Sequence, residues 1–302
     1  MRVVISLTTL PDRLAKDAVL PCLRSIENQT HPVNAVYLGL PRVAKRFNKP
    51  YPEPSDEVKA LCTIVEIEED FGPVTKILGG LYAEGDPETL IITIDDDNVY
   101  APNFVAEMLA AHQHRPEAAI GSAGVVVGSF PGYFAYVRNG IGGKYEAWWK
   151  GEVPPEGEQV DILCGYAGVL YLREMFPPKA SLKDEFLKLP LNNPAVFMHD
   201  DVYISSFINS RNYERWLYNM PEVTNPEHQA DSLSGDMWDF YPKLIKAYQV
   251  CSKAGMIKSK VCMSYRHTIT GRVLIWILIF VLVILVIWIF ASGLKSQRET
   301  KF

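Results

Sequence analysis

The sequence predicts an α/β domain built on a mostly parallel sheet, followed by one membrane-spanning helix at the C-terminal end. Short apolar runs of strand length alternate with stretches of helical spacing through the first 130 or so residues, the pattern of a sheet with helices on both faces. One of those runs ends in three consecutive aspartates. Near the end, an unbroken apolar stretch is long enough to cross a bilayer.

The elements follow in order. Residues 3–7 (VVISL) form an apolar run closed by a polar turn, hence a strand. Residues 17–28 place Val19, Leu20, Leu23 and Ile26 at helical spacing. Residues 35–40 and 63–67 read as the next two strands, and 76–82 as a helix. Residues 90–94 (LIITI) are a buried strand running into an acidic turn, and 103–114 an amphipathic helix opened by Pro102. Residues 119–127 are strand-like again. After Gly128 the pattern turns irregular, rich in aromatics, glycines and prolines as far as Pro155, which is the signature of a binding loop or lid. Apolar character resumes over 161–172. The expected organisation is one domain over 1–270, its halves dividing near 128/129, then a span at 273–291 and a short basic tail at 292–302.

Composition narrows the classes. The chain has 302 residues, 48% of them hydrophobic and 22% charged, so a packed core is affordable and disorder is not the default. A net charge of −5 with no basic cluster argues against a nucleic-acid partner. The 5 cysteines, Cys22, Cys62, Cys164, Cys251 and Cys262, are scattered and lack any CxxC pair, which fits buried free thiols in a reducing compartment. The first residues run from one short strand into the polar turn Thr8–Arg13, unlike a secretory signal.

Residues 273–291 (VLIWILIFVLVILVIWIFA) carry no charge and no helix breaker. As a helix they extend roughly 28 Å, about the hydrocarbon thickness of a bilayer. Trp276 and Trp288 lie near the two ends, and basic residues flank both sides (Arg266 and Arg272 before; Lys295, Arg298 and Lys301 after), so charge bias leaves the orientation open. The expectation is a C-terminal anchor inserted after synthesis, with the domain in the cytosol.

Three constellations carry chemistry. Asp95, Asp96 and Asp97, followed by Asn98, stand at the end of a buried strand, where ligands bind in open α/β sheets. Adjacent carboxylates raise one another's pKa unless a cation neutralises them, and oxygen ligands suit Mn²⁺ or Mg²⁺, which in turn holds a diphosphate. A solvated acidic turn capping the next helix is the plain alternative. Met198-His199-Asp200-Asp201-Val202-Tyr203 is a second acidic group, after a short apolar stretch and at the start of a helical run. It fits either an N-terminal helix cap or a base for an incoming hydroxyl. In Phe71-Gly72-Pro73-Val74-Thr75-Lys76 the lysine opens a helix, where it can meet a phosphate or simply lie on the surface.

In their order these motifs resemble GT-A (Rossmann-like) glycosyltransferases over about residues 3–210. Ile-Thr-Ile-Asp95-Asp96-Asp97 looks like their DxD motif. His199-Asp200-Asp201-Val202-Tyr203 is similar to their later acidic motif and to the EDVY stretch of β1,3-galactosyltransferase and fringe-like members. Residues 5–13 resemble the first strand and nucleotide-binding loop, 71–76 a GPxTK stretch, and Gly165-Tyr166-Ala167-Gly168 a glycine-rich acceptor loop.

The resemblance implies a metal-dependent transfer of a sugar from a nucleotide-sugar, a UDP-sugar first among donors, to a hydroxyl of a glycan, glycolipid or glycoprotein. Thr8, Pro11 and Arg13 would line the nucleotide pocket, with Asp95 on the ribose or uracil side and Lys76 on phosphate or sugar hydroxyls. Asp97 would bind the metal (Mn²⁺ before Mg²⁺) with Asp95 and Asp96 beside it. Asp201 would be the base and Asp200 a holder of hydroxyls, the pattern leaning to inversion. A third metal ligand would be His228, preferred over His267 because the latter sits close to the anchor. Tyr133, Phe134, Tyr136, Tyr145, Trp148 and Trp149 would offer sugar-stacking rings, or core packing. Fringe-type enzymes carry their anchor at the other end and have disulfides, so the resemblance concerns the catalytic fold rather than that pathway.

Two rivals stay in view. A haloacid-dehalogenase-like phosphatase also wants a strand followed by DxDx(T/V), which Asp95–Val99 matches, and a later strand ending in two aspartates. A non-catalytic sugar-binding protein on the membrane is the other.

Overall fold

The computed structural model describes residues 1–127, 134–138, 153, 155–221, 223–224, 237–258 and 280–281. Contacts divide the chain into one unit of Met1–Val127 with Tyr136–Val261 and another of Gly128–Ala135 with Cys262–Phe302. Of the apolar stretch 273–291 only Phe280 and Val281 are described, both helical, and the basic tail lies outside the described residues. Among the described residues no helix is long and apolar enough to cross a membrane.

The first unit is organised by an eight-stranded sheet. From edge to edge it runs Glu158–Gln159, Arg215–Leu217, Ala119–Gly121, Val169–Leu172, Leu90–Thr93, Val3–Leu7, Ala35–Pro41, Thr63–Ile67. Val3–Leu7 pairs in parallel with both Ala35–Pro41 and Leu90–Thr93, and Ala35–Pro41 in parallel with Thr63–Ile67. Parallel strands covered on both faces read as continuous apolar runs rather than alternating ones. Val4, Ile5, Leu7, Leu38, Ile91 and Ile92 are fully buried accordingly. Each such side chain contributes about 1.5–3 kcal/mol relative to exposure.

The helix predicted over 17–28 begins later, at Leu20–Glu27. Asp17 takes a left-handed φ of 53°, which closes the preceding turn and cannot lie inside a helix. Leu20, Cys22, Leu23 and Ile26 form its buried face, as the spacing requires. The helix predicted over 76–82 spans Thr75–Ala83, and that over 103–114 spans Phe104–His114.

Residues 119–127 do not form one strand. Ala119–Gly121 belongs to the main sheet, while Ala123–Val127 pairs antiparallel with Ile162–Leu163 in a smaller one. Every residue of both pieces is buried, so hydrophobicity alone cannot mark the bend at Ser122. Val169–Leu172 is inserted antiparallel between Leu90–Thr93 and Ala119–Gly121. The late half of the domain therefore completes the sheet begun by the early half. Within the segment read as irregular, Phe134–Arg138 is a strand.

Candidate active site

The turn Phe71–Lys76 is shaped by its sequence. Asp70 accepts a hydrogen bond from the Gly72 N–H at 2.7 Å. Gly72 adopts a φ of +69° and faces the Phe197 carbonyl so closely that a Cβ there would lie 2.4 Å from the oxygen. The 3₁₀ turn Gly72–Val74, with Pro73 at its second position, then runs into the helix Thr75–Ala83. The Ser6 hydroxyl donates to the Lys76 carbonyl at 2.5 Å and accepts from Gly80 N at 2.9 Å, which pins this helix to the central strand. Lys76 is thereby buried, not a surface lysine.

Its ammonium lies 2.6 Å from Asp95 Oδ1 and 3.0 Å from Asp200 Oδ2. The two acidic groups, remote in sequence, meet around this one charge. Burial works against the Lys76 cation, but Asp200, Asp95 and Asp201 outweigh it and hold its pKa well above the ordinary lysine value.

The three consecutive aspartates have different surroundings. Asp96 points inward, accepting from Thr9 Oγ1 at 2.5 Å and from Arg13 Nη1 at 2.5 Å. Arg13 reaches Asp97 as well, at 3.2 Å. Burial lifts the Asp96 pKa to about 6 despite Arg13, with Asp97 and Asp95 adding to the rise. Asp97 is raised by burial and then by the neighbouring Asp95. Asp95 and Asp97 keep side-chain exposures of 29% and 18%, so they are the members of the turn that solvent or a ligand can reach. The next helix, Phe104–His114, has Asn103 as its N-cap, so this turn does not cap it.

Asp200 and Asp201 open the helix Asp200–Ser210, whose N-cap is His199 without a side-chain capping bond. Both carboxylates lie in the first turn of this helix, where they complement its dipole, and neither is the N-cap itself. Asp200 pairs with Lys76, and Asp201 Oδ1 accepts the Gly165 N–H at 2.8 Å. A Cβ at Gly165 would stand 2.9 Å from that Asp201 oxygen and 3.1 Å from Lys76 Nζ, so only glycine lets the backbone donor come this close. Burial, and then Asp200, push the Asp201 pKa upward; Lys76 and the Gly165 N–H oppose them. A carboxyl shifted towards neutrality is suited to accepting a proton.

Arg13, Lys76, Asp95, Asp96, Asp97, Asp200 and Asp201 are thus assembled into one linked cluster. Thr8 and Pro11 sit beside it with structural engagements: Thr8 Oγ1 donates to the Gly39 carbonyl at 2.8 Å, and Pro11 is the buried first residue of the helix Pro11–Ala15. His228, His267, Tyr133, Tyr145, Trp148 and Trp149 lie outside the described residues, as do the side chains of Phe134 and Tyr136. Sequence reasoning missed Thr9, whose hydroxyl serves Asp96, and the pair Asn98 and Tyr100, which grip the turn carrying Gly165. Thr9 stands next to Thr8 and nothing in the pattern distinguishes the two; Tyr100 reads as a core aromatic.

The donor set suits a hard cation only in part. Among the described residues no group of three or more His, Cys, Asp or Glu side chains could hold a metal. Asp95 and Asp97 nevertheless offer two partly exposed carboxylates, each with one cationic partner, Lys76 for Asp95 and Arg13 for Asp97. Mg²⁺-like ions are commonly held by one or two carboxylates with substrate phosphates completing the shell. Two carboxylates fit such an ion only where further ligands complete its shell.

No family model matches the chain, and no curated protein does. Its structure is similar to that of S. aureus TarS, with TM-score 0.43, 10% identity, and coverage of 72% of this chain and 35% of TarS. For TarS 1-349 in complex with UDP the values are 0.43, 9%, 72% and 58%. For GalNAc-T7 with UDP, GalNAc and Mn²⁺ they are 0.49, 10%, 82% and 48%. The chain spans between about a third and three fifths of these proteins' lengths.

Proposed function

We propose that this chain is a glycosyltransferase of GT-A type that moves a sugar from a nucleotide-sugar to an acceptor hydroxyl. The observation that carries the reading is the meeting of both acidic groups around Lys76 at the end of the central strands. In an open α/β sheet that edge is where ligands bind.

In this reading Asp201 takes the proton of the acceptor hydroxyl as its oxygen bonds to the anomeric carbon and the bond from that carbon to the diphosphate breaks, a single displacement with inversion. Asp200 would hold the Lys76 ammonium and, with it, hydroxyls of the sugar or acceptor. Lys76 would face negative charge growing on the departing diphosphate, an electrostatic contribution that is often the largest in catalysis. Arg13 and Thr9 would keep Asp96 fixed, so that Asp95 and Asp97 present their oxygens outward. A divalent ion, Mn²⁺ or Mg²⁺, would be held by Asp97 and Asp95, with His228 as the remaining candidate, and would supply Lewis-acid charge neutralisation when bound. Residues 273–291 would anchor the enzyme, with the catalytic domain on the cytosolic face and a membrane-borne glycan, glycolipid or glycoprotein as acceptor.

The phosphatase reading loses one of its two supports. It needs an apolar strand ending in the aspartate pair, whereas Pro194–Phe197 before Asp200 is helical.

A thermal-shift screen of UDP-, GDP- and CMP-sugars, each with and without Mn²⁺, tests the proposal on the full chain in detergent. One metal–nucleotide pair should raise the melting temperature, since a ligand that binds only the folded state stabilises it. The same pair should release free nucleotide on turnover. Turnover of p-nitrophenyl phosphate with no response to any nucleotide-sugar would overturn it in favour of the phosphatase, and nucleotide-sugar binding with no release of free nucleotide by the wild type would favour a non-catalytic binder.

A further inference from the structure

The turn Gly165–Gly168 is fixed at three points. At its start, the Gly165 N–H donates to Asp201. In its middle, the Tyr166 carbonyl accepts from Asn98 Nδ2 at 2.5 Å and from the Tyr100 hydroxyl at 3.3 Å. At its end, Gly168 takes a φ of +86° and packs so tightly on Phe104 that a Cβ there would lie 2.4 Å from the ring. Phe104 in turn packs on Tyr100, ring centroids 4.7 Å apart.

Tyr100 also accepts the Asp95 N–H, at 3.0 Å, through the oxygen whose proton goes to Tyr166. That hydroxyl uses one acceptor site and its single donor, and the residue is only 2% exposed. A buried hydroxyl saturated in this way is expensive to disturb, because loss of one partner strands another. The chain of contacts runs from the Asp95 backbone, through Tyr100 and the Tyr166 carbonyl, to the Gly165 N–H on Asp201. It is a second link between the two acidic groups, independent of Lys76.

We infer that Tyr100, together with Asn98, is a positioning residue that holds the Gly165–Gly168 turn so that the Gly165 N–H fixes one oxygen of Asp201 and leaves the other to the acceptor. The functional half of this inference rests on the proposed role of Asp201 as base. Tyr100→Phe keeps the ring and its packing on Phe104 and deletes only the hydroxyl. Asn98→Ala deletes the other grip.

The test is amide hydrogen exchange on the full chain, with donor binding and turnover measured on the same samples. In each variant the amide of Gly165 should exchange about three- to tenfold faster, and more in the double variant, as expected for loss of one hydrogen bond per site. Amides of the central strands should be unchanged. Turnover to the acceptor should fall by a similar or larger factor in each, while donor affinity stays within about twofold in Asn98→Ala, which leaves the bond from the Asp95 N–H to Tyr100 in place. Unchanged exchange at Gly165 in the double variant would overturn the inference, as would a loss of protection spread evenly over the domain. Faster exchange at Gly165 in a chain whose wild type turns over no nucleotide-sugar would uphold the latch and count against the transferase reading instead.

Discussion

Lys76 and Asp200, far apart in sequence, form a buried ion pair of 3.0 Å, and the same ammonium lies 2.6 Å from Asp95. A lysine shared by two carboxylates sets both the stability of the cluster and its charge. Removing one partner of a buried pair leaves an uncompensated charge, which costs about 3–5 kcal/mol. Lys76→Met should therefore lower the unfolding free energy by that order in urea denaturation, and abolish transfer even where the protein remains folded. Lys76→Arg, with a larger planar head, should recover stability better than rate. A variant as stable as wild type would show that the ammonium is not needed where it lies.

Asp201 should set the acidic limb of the rate profile. A base works only when deprotonated, and burial with Asp200 beside it raises the Asp201 pKa, so activity should rise with pH at values above the usual carboxylate range. Asp201→Asn should reduce turnover about 10²–10⁴-fold with donor binding retained. The measurement is the pH dependence of kcat/KM. A limb at the pH of an ordinary aspartate would assign the proton transfer elsewhere.

Asp96 should make the metal-free protein less stable as pH rises. Its folded pKa of about 6 lies above the unfolded carboxylate value. The folded state therefore binds the proton more tightly, and the contribution is full below the unfolded pKa and lost as pH climbs through about 6. The change is on the order of 3 kcal/mol, taking about 1.4 kcal/mol per pKa unit. Urea titrations at pH 4 and pH 7 should give a larger drop for wild type than for Asp96→Asn. Arg13→Ala should steepen the drop, because Arg13 is the main charge opposing the shift.

Gly72→Ala should be destabilising by at least about 1–3 kcal/mol, from a left-handed backbone and a Cβ 2.4 Å from the Phe197 carbonyl oxygen. That contact joins the turn before Lys76 to the segment before Asp200. Thermal melting should report the loss, and the residual folded fraction should turn over more slowly than wild type. Unchanged melting would mean that the Gly72–Phe197 approach does not hold the two segments together.

Much of the fold was legible in the chain itself. The runs VVISL and TIVEI are strands over Val3–Leu7 and Thr63–Ile67, bounded where the polar turns begin. The acidic turn after Leu90–Thr93 lies at the sheet edge where an apolar strand followed by three aspartates leads one to look. A short apolar run closed by a polar turn announces a strand locally, even where every residue of it is buried.

What the sequence could not declare is who faces whom. Asp95, Asp96 and Asp97 are chemically identical on paper, yet Asp96 is buried against Arg13 and Thr9, Asp95 is held by Lys76, and Asp97 shares Arg13 from a partly exposed position. The bend at Ser122, the antiparallel insertion of Val169–Leu172 and the burial of Lys76 were likewise invisible, since an apolar run buried on both faces has no period and a lysine carries no mark of its partner. Composition and periodicity fix which segments become strands and helices because those depend on neighbours in the chain. The charges, pKa values and close approaches of the candidate site depend on atoms brought together from remote segments, and only packing in three dimensions sets those distances.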